Sequence, residues 1–136
     1  LEFPSRSSYE SFARATVGAF AARIDPTIEE LSDIKTAVSE AVTNAVVHGY
    51  RGSEGIVYIN CVLEGREITV EVTDQGRGIA DVEKARQPLF TSMPEEERSG
   101  MGFTIMETFM DKLEVESTPG TGTKVVMKKT LSAAKE

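Results

Sequence analysis

The stretch that decides the fold is residues 56–74, which read IVYINCVLEGREITVEVTD. Its second half alternates strictly between apolar and polar residues, as expected of a strand with one buried face. The buried face would carry Ile68, Val70 and Val72. Gly65-Arg66 separates the two halves and predicts a tight turn, so we expect a hairpin of two antiparallel strands.

Upstream of this hairpin, two capping-box signatures each introduce an amphipathic helix. The first is Ser7-x-x-Glu10 and the second is Thr27-x-x-Glu30, with Asp25-Pro26 between the two helices. The apolar stripe of the first helix would be Tyr9, Phe12, Ala13, Thr16, Val17, Phe20 and Ile24. That of the second would be Leu31, Ile34, Val38, Ala41, Val42 and Ala45.

Downstream, periodicity is lost from residue 79 to residue 99 and then returns as a helix over 103–110. Residues 113–118 and 123–131 read as a second strand pair, joined at Pro119-Gly120. Because consecutive strands join by hairpins, the chain predicts an α+β domain over residues 1–131, with a frayed tail at 132–136. The expected architecture is a two-layer α/β sandwich, with a mostly antiparallel sheet and helices on one face.

Composition limits the possible functions. The 136 residues carry a net charge of −7, which argues against a nucleic-acid surface because phosphate recognition needs clustered Lys and Arg. No apolar stretch approaches the roughly 20 residues of a membrane helix. The single cysteine and the absence of a signal-peptide pattern at the N-terminus indicate a cytoplasmic protein.

Asp74 ends the alternating strand on the same side as Val72, so its carboxylate is predicted to be buried. A buried carboxylate needs a hydrogen-bond donor, and the exocyclic amine of adenine is one candidate. The other interpretation is that Asp74 caps the turn at Gly76. The residues themselves leave both possibilities open.

Glu40 and Asn44 are four residues apart on the second predicted helix and therefore share a face. A carboxylate can accept a proton from a hydroxyl, and an amide oxygen suits Mg²⁺. A solvated helix face is the alternative. His48, the only histidine, lies one turn further and is expected to interact with the helix end.

Gly100-Met101-Gly102 directly precedes the third predicted helix, whose N-terminal N–H groups would attract phosphate. Arg98 and Ser99, just upstream, would add donors to a terminal phosphate. Alternatively, this segment is a plain linker and Arg98 neutralises the acidic run 95–97. Thr123, on the inward face of the last strand, is either a hydrogen-bonding partner near Asp74 or simply a good strand residue.

In their order along the chain, these patterns resemble the N, G1, G2 and G3 boxes of the GHKL superfamily of Bergerat-fold ATPases. Residues 39–50, SEAVTNAVVHGY, resemble the N box of the bacterial anti-sigma factor serine kinases. Residues 86–91, RQPLFT, and 97–106, ERSGMGFTIM, are similar to the sporulation members of that family. The resemblance extends from residue 3 to about residue 129.

The resemblance implies an anti-sigma factor that inhibits a sporulation sigma factor. It would also phosphorylate a serine of an anti-anti-sigma protein with MgATP, usually as a homodimer. Glu40 would be the base, Asn44 the Mg²⁺ ligand and Asp74 the acceptor for the adenine amine. Residues 79–99 would form a lid. The remaining ATP/ADP contacts would come from Gly76, Gly78, Ser99, Gly100, Met101, Gly102 and Thr123, with Arg98 catalytic.

Two other functions remain open from the sequence. One is that the chain is an ATP-binding domain cut from a histidine kinase. The other is that it is a nucleotide-dependent binding module without significant turnover. The first helix has no phosphoacceptor histidine, which argues against the former. Arg14 lies off the apolar stripe of the first helix and is the candidate contact to an acidic patch on a partner, with a solvated surface arginine as the alternative.

Overall fold

The computed structural model describes residues 1–50, 54–79, 82, 86 and 102–132. Within this part of the chain, a sheet contains β1 (Glu2–Pro4), β2 (Ile56–Glu64), β3 (Glu67–Asp74), β4 (Lys112–Thr118) and β5 (Gly122–Thr130). The strand order is β1-β2-β3-β5-β4, and neighbouring strands are antiparallel throughout. Both predicted hairpins, β2–β3 and β4–β5, are confirmed. β3 is therefore central and ends in Asp74, between Val57 of β2 and Thr123 of β5.

The helices are α1 (Glu10–Ala21), α2 (Ile28–Thr43) and α3 (Gly102–Phe109). Two short 3₁₀ turns, Ser7–Tyr9 and Ala22–Ile24, flank α1, and a π-helical turn, Asn44–Gly49, extends α2. α2 packs against both α1 and α3, so it forms the centre of the helical layer.

The core lies between this helical layer and one face of the sheet. The sheet side comprises Val57, Ile59, Ile68, Val70, Val72, Val125 and Met127, all buried. They share one apolar cluster with Ile34, Val38, Val42 and Met106 of the helices. The opposite face carries charged residues such as Lys124 and Glu71, whose side chains lie 3.9 Å apart. The α+β sandwich with helices on one face is confirmed.

The N-terminus of α2 follows the sequence prediction. The Thr27 hydroxyl accepts a hydrogen bond from the Glu30 backbone N–H at 3.0 Å, and Glu30 Oε1 accepts one from the Thr27 backbone N–H at 2.8 Å. The hydrogen bond from the Thr27 backbone, more than any other contact, lowers the pKa of Glu30. This reciprocal pair satisfies two of the N–H groups that a helix start leaves without partners.

The capping box predicted at Ser7 and Glu10 is wrong. Ser7 belongs to a 3₁₀ turn, α1 begins at Glu10 with Tyr9 as its N-cap, and neither element has a side-chain cap. Because the 3₁₀ turn that begins at Ser7 precedes α1, the Ser7 hydroxyl is not at the N-cap position of α1. The Glu10 side chain instead lies 3.8 Å from the Arg14 guanidinium.

The predicted apolar stripe of α1 is largely confirmed, since Ala13 and Val17 are buried and Tyr9, Phe20 and Ile24 pack against the core. Phe12 is half exposed, whereas the buried face consists of Ala13, Val17, Gly18 and Ala21. These small residues let α1 approach α2 closely, and a Cβ on Gly18 would lie 3.1 Å from Lys35 Cδ. Close packing of α1 on α2 therefore buries Gly18 and Ala21, which the predicted stripe did not include, while Phe12 stays exposed.

At the C-terminal end, Ser132 is held at the start of α2. Its backbone N–H donates to Glu30 Oε2 at 2.8 Å, and its carbonyl accepts from Arg66 Nε at 2.9 Å. Residues 133–136 of the predicted tail lie outside the described residues. None of the helices in the described part of the chain combines the length and apolarity needed to traverse a bilayer.

Candidate functional site

Glu40 and Asn44 both reach the start of α3. A Cβ placed on Gly102 would lie 3.3 Å from the side-chain amide of Asn44 and 3.5 Å from Glu40 Oε2. Gly102 is buried between these groups and the core. The two side chains predicted to share a helix face therefore converge on the N-terminal end of α3, where helix N–H groups and the helix dipole favour anions.

The pKa of Glu40 is raised by burial first and by the negative charge of Glu10 second. Burial raises it because a carboxylate loses solvation, and Glu10 adds like-charge repulsion. Glu10 in turn pairs with Arg14, one turn further along α1. A charged residue on the surface of α1 therefore affects the pKa of Glu40.

Asn44 stands where α2 changes into the π-helical turn. The Tyr50 backbone N–H donates to the Ala45 carbonyl at 3.0 Å, an i to i+5 hydrogen bond. Such π-type turns are rare and often occur at functional sites. The turn carries the chain from Asn44, beside α3, to Gly49, beside the end of β3.

The Asp74 carboxylate packs directly on Gly49. A Cβ at Gly49 would lie 2.7 Å from Asp74 Oδ1, closer than van der Waals contact allows. Asp74 is only 6% exposed, which confirms its predicted position on the buried face. The π-helical turn therefore joins the Glu40–Asn44 pair at one end to Asp74 at the other.

Asp74 also makes the turn contact that was its alternative interpretation. The Gly76 N–H donates to Oδ1 at 2.9 Å. Burial raises the pKa of Asp74, while hydrogen bonds from the backbones of Gly76 and Thr123 lower it, with burial the larger effect. A carboxylate offers about four acceptor positions, so these contacts leave acceptor capacity for a ligand amine. The turn contact and a ligand contact are compatible.

The loop after Asp74 passes very close to its neighbours. A Cβ on Gly76 would lie 2.0 Å from the Gly49 carbonyl oxygen, and one on Gly78 would lie 2.2 Å from the Thr118 carbonyl oxygen. The Arg77 N–H donates to the Gly49 carbonyl at 2.8 Å, and the Ile79 N–H donates to Ser117 Oγ at 2.6 Å. The two glycines allow this loop to lie against both the π-helical turn and the β4–β5 hairpin.

Thr123 is buried opposite Asp74 in the β3–β5 pairing. Its hydroxyl lies 2.8 Å from the Ser117 hydroxyl. The hairpin preceding it is closed by a Thr121 N–H to Thr118 carbonyl hydrogen bond of 3.0 Å, with Gly120 at φ +82°. Pro119 occupies the second position of this four-residue turn, where its restricted φ is favourable, and Gly120 supplies the positive φ that follows.

Some predicted site residues cannot be placed. Arg98, Ser99, Gly100 and Met101 lie outside the described residues, as does the predicted lid except for residues 79, 82 and 86. Arg86 is ion-paired with Glu107 of α3. Arg14 is partly exposed on α1, away from the buried stripe.

Sequence reasoning missed three residues that shape this site. Gly49 and Tyr50 lie within the stretch that resembles the N box, and Arg77 stands between the glycines of the Asp74-x-Gly76-x-Gly78 pattern. Their proximity to recognised motifs was the available signal. Gly49 contacts Asp74, Tyr50 contacts Gln75, and Arg77 contacts His48. These contacts depend on which segments the fold brings together.

The donor set is compatible with a magnesium ion that is held mainly by a ligand's phosphates. Among the described residues, no group of three or more His, Cys, Asp or Glu side chains is arranged to hold a metal. In the same part of the chain, Asn44 Nδ2 is buried without a hydrogen-bond partner, so the protein leaves a polar atom of this amide for a ligand to satisfy. Mg²⁺ commonly takes one or two protein oxygens and otherwise binds water and phosphate.

Comparison with known proteins gives concordant results. The model of the histidine kinase-like ATPase domain family matches residues 3–129. The anti-sigma F factor of Thermoanaerobacter sp. (strain X514) is 62% identical over 99% of this chain and 94% of that protein. The anti-sigma F factor of Caldanaerobacter subterraneus subsp. tengcongensis is 64% identical over 95% of this chain and 90% of its own length.

Solved structures share the fold. The RsbU and RsbW domains of Rv1364c from Mycobacterium tuberculosis match with a TM-score of 0.70 at 20% identity, covering 100% of this chain and 34% of that chain. A blue-light activated histidine kinase from Erythrobacter litoralis EL346 matches with a TM-score of 0.59 at 25% identity, covering 93% of this chain and 42% of that chain.

Sequence identity distinguishes two of the candidate functions. The chain is 62% identical to the anti-sigma F factor of Thermoanaerobacter sp. (strain X514) and 25% identical to that histidine kinase. The higher identity favours the anti-sigma interpretation over the histidine-kinase one. The chain belongs to the anti-sigma F factors, a family of ATP-dependent protein serine kinases built on the histidine kinase-like ATPase domain.

Proposed function

We propose that this protein binds and inhibits a sporulation sigma factor and phosphorylates a serine of an anti-anti-sigma protein with MgATP. The observation that carries the proposal is the convergence of Glu40 and Asn44 on Gly102, at the start of α3. The π-helical turn connects that pair to Asp74. A proton acceptor, a metal ligand and an acceptor for a base amine would thus serve a single nucleotide.

Glu40 is the proposed general base. The serine Oγ attacks the γ-phosphorus, the bond from that phosphorus to the bridging oxygen of ADP breaks, and the serine proton passes to the Glu40 carboxylate. Burial and the nearby Glu10 charge raise the pKa of Glu40, which makes its carboxylate a better proton acceptor. Positioning and charge stabilisation supply most of the rate enhancement in such transfers.

Asn44 is the proposed protein ligand of Mg²⁺, through its side-chain oxygen. When held there, the ion would supply positive charge that offsets the charge developing on the phosphates. The N-terminus of α3 at Gly102 would receive the phosphates. Ser99, Gly100 and Met101 are proposed as further phosphate contacts and Arg98 as a catalytic cation, on the resemblance of their segment to the family pattern.

Asp74 is the proposed acceptor for the adenine amine. Gly76 and Gly78 would form the wall of the base pocket, and Thr123 would hydrogen-bond beside the base. The support is the buried position of Asp74 and Thr123 at the paired ends of β3 and β5. A polar pair at the edge of an otherwise apolar core suits a ligand with one polar edge and an apolar ring.

Arg14 is proposed as the contact to an acidic patch on a protein partner. Its side chain is 43% exposed and its ion pair with Glu10 is long, at 3.8 Å, so its charge is only partly satisfied within α1. We further propose a cytoplasmic homodimer as the working form. Size-exclusion chromatography with light scattering tests the dimer directly, since the molar mass measured for a monomer would be 14.8 kDa.

The decisive experiment incubates the protein with γ-labelled MgATP and the candidate anti-anti-sigma partner. We expect label on a partner serine for the native chain and none for Glu40→Ala, with ADP binding retained in both. Glu29→Ala, an exposed carboxylate in the first turn of the same helix, is the matched control and should keep activity. Partner binding that depends on nucleotide but never transfers label would support the binding-module alternative and reject the kinase.

A further inference from the structure

The hydroxyl of Tyr50 joins the start of β2 to the base loop, which we define as residues 74–78. It donates to the Ile56 carbonyl at 2.5 Å and accepts from the Gln75 N–H at 2.8 Å. The ring of Tyr50 is 9% exposed and packs on Gly55, where a Cβ would lie 2.1 Å from Cε1. The hydroxyl therefore occupies a fixed position when it meets the residue next to Asp74.

Arg77 ties the same loop to two other segments. Its backbone N–H donates to the Gly49 carbonyl at 2.8 Å and its Nε donates to the His48 carbonyl at 2.8 Å. Its own carbonyl accepts from the Gly120 N–H at 2.7 Å. One residue thus joins the π-helical turn, the base loop and the β4–β5 hairpin.

These contacts hold the base loop in place without any contribution from a ligand. The N–H groups of Gln75, Gly76 and Arg77 are bonded to Tyr50 Oη, the Asp74 carboxylate and the Gly49 carbonyl, respectively. A carboxylate held in one orientation favours an amine over a carbonyl at the same ring position. The amine can donate a hydrogen bond to it, whereas the carbonyl would place a second acceptor against the carboxylate. If the loop shifts, the carboxylate turns away and the penalty against the carbonyl falls.

We propose that Tyr50 and Arg77 are positioning residues that set the selectivity of the site for adenine over a 6-oxo purine. This inference rests on the proposed role of Asp74 as the acceptor for the adenine amine. Neither side chain is required to touch the base. The Tyr50 side chain acts through the Gln75 N–H, and the Arg77 side chain acts through its hydrogen bond to the His48 carbonyl. The backbone hydrogen bond from Arg77 to the Gly49 carbonyl is kept in any variant at position 77 that retains its N–H.

The test compares the affinity of ADP with that of inosine diphosphate, which carries a carbonyl in place of the amine, by calorimetry. The variants are Tyr50→Phe, Arg77→Ala and Arg77→Lys. Tyr50→Phe keeps the ring against Gly55 and removes only the hydroxyl. Tyr58→Phe on β2 and Arg23→Ala, whose guanidinium lies 5.7 Å from the Phe20 ring centroid, are the controls.

We expect the native chain and both controls to prefer ADP strongly. Tyr50→Phe and Arg77→Ala should each lower the ratio of the two affinities by ~2–10-fold, the usual range for one lost hydrogen bond. Arg77→Lys should restore part of the ratio, because a lysine can still donate to the His48 carbonyl. Loss of selectivity identifies positioning, since a merely less stable fold would weaken both nucleotides equally.

Two results would overturn the inference. Variants that keep the native ratio, or that lose both affinities in proportion, would reduce Tyr50 and Arg77 to structural residues while leaving the proposed kinase intact. A native chain that binds ADP without preferring it over inosine diphosphate would also reject the inference. Failure of the native chain to bind either nucleotide would reject the proposed function itself.

Discussion

The Asp74 carboxylate occupies the space that a side chain at Gly49 would need, because a Cβ there would lie 2.7 Å from Asp74 Oδ1. Gly49 ends the π-helical turn that begins at Asn44, and Asp74 ends β3. Two residues 25 positions apart therefore meet where a helix and a strand both terminate. This contact joins the Glu40–Asn44 end of the site to the Asp74 end.

Gly49→Ala is expected to weaken nucleotide binding more than it destabilises the fold. The added methyl would come within 2.7 Å of Asp74 Oδ1 and displace the carboxylate, which is a side-chain group and yields before the backbone does. ADP affinity measured by calorimetry should fall by at least ~10-fold, the usual cost of losing a hydrogen bond to a charged group.

Gly65→Ala is the matched control for that variant. Gly65 has a φ of +58° at the β2–β3 turn, and no atom lies within 4 Å of where its Cβ would stand. We expect ~1–2 kcal/mol of lost stability from the left-handed backbone and no change in ADP affinity. Equal affinity in Gly49→Ala and the native chain would contradict the importance of the Gly49–Asp74 contact.

Glu40→Gln should make the protein more stable at neutral pH. The pKa of Glu40 is raised in the folded state, chiefly by burial, so folding disfavours its ionised form. The native protein therefore loses stability as the pH rises from the pKa of Glu40 in the unfolded state, about 4.3, through its raised pKa in the folded state. Thermal unfolding at pH 4 and pH 7.5 should show an advantage for Glu40→Gln that is larger at pH 7.5.

Glu29→Gln serves as the control for this pH effect, because Glu29 is an exposed carboxylate on the same helix. At pH 7.5 Glu40→Gln should be the more stable of these two variants. A constant difference between Glu40→Gln and the native chain at both pH values would mean that the Glu40 carboxylate is not penalised by its surroundings. The proposed tuning of the base would then lack support.

Asp74→Asn separates the ligand role of Asp74 from its turn contact. The amide oxygen can still accept from the Gly76 N–H, so the turn should persist, whereas the NH₂ group would oppose the adenine amine. ADP affinity should fall by about 10–100-fold, in line with loss of a hydrogen bond to a charged group. Inosine diphosphate, with its carbonyl, should bind this variant at least as well as ADP does. Unchanged preference for ADP would favour the turn contact as the only role of Asp74.

Arg14→Glu should weaken binding of the sigma factor while ADP affinity is kept. The variant places a negative charge beside Glu10 and reverses the charge offered to an acidic partner. The repulsion within α1 should cost only ~0.2–0.5 kcal/mol of stability. Pull-down with purified sigma factor, with Arg23→Glu as an exposed control on the following 3₁₀ turn, measures the effect. Native-like capture by Arg14→Glu would remove Arg14 from the interface.

Local rules carried a large part of the prediction. Strict alternation along β3 placed the Asp74 carboxylate on the buried face, and the four-residue spacing of Glu40 and Asn44 placed them on one helix face. The Thr27–Glu30 capping box formed as its pattern indicated. In each case the deciding interactions lie within one helical turn or one strand, so the sequence contains all the participants.

The same rules failed at α1, for a physical reason. Ser7 and Glu10 match a capping box, yet a 3₁₀ turn precedes the helix and the box does not form. Phe12 has the character of a core residue, yet it is half exposed, because α1 approaches α2 through Ala13, Gly18 and other small residues. A pattern within one helix does not specify how closely a second helix will pack against it.

Sequence alone determined the antiparallel sheet, the sandwich and the inward direction of Asp74, since each follows from the repeat of the backbone and the burial of apolar side chains. Tertiary structure decided that Glu40 and Asn44 face Gly102, that Gly49 and Tyr50 contact the base loop, and that Arg77 of this loop binds the His48 carbonyl. Those contacts join residues 25 to 62 positions apart. They depend on how the π-helical turn, the end of β3 and α3 pack together, and no local periodicity encodes that packing.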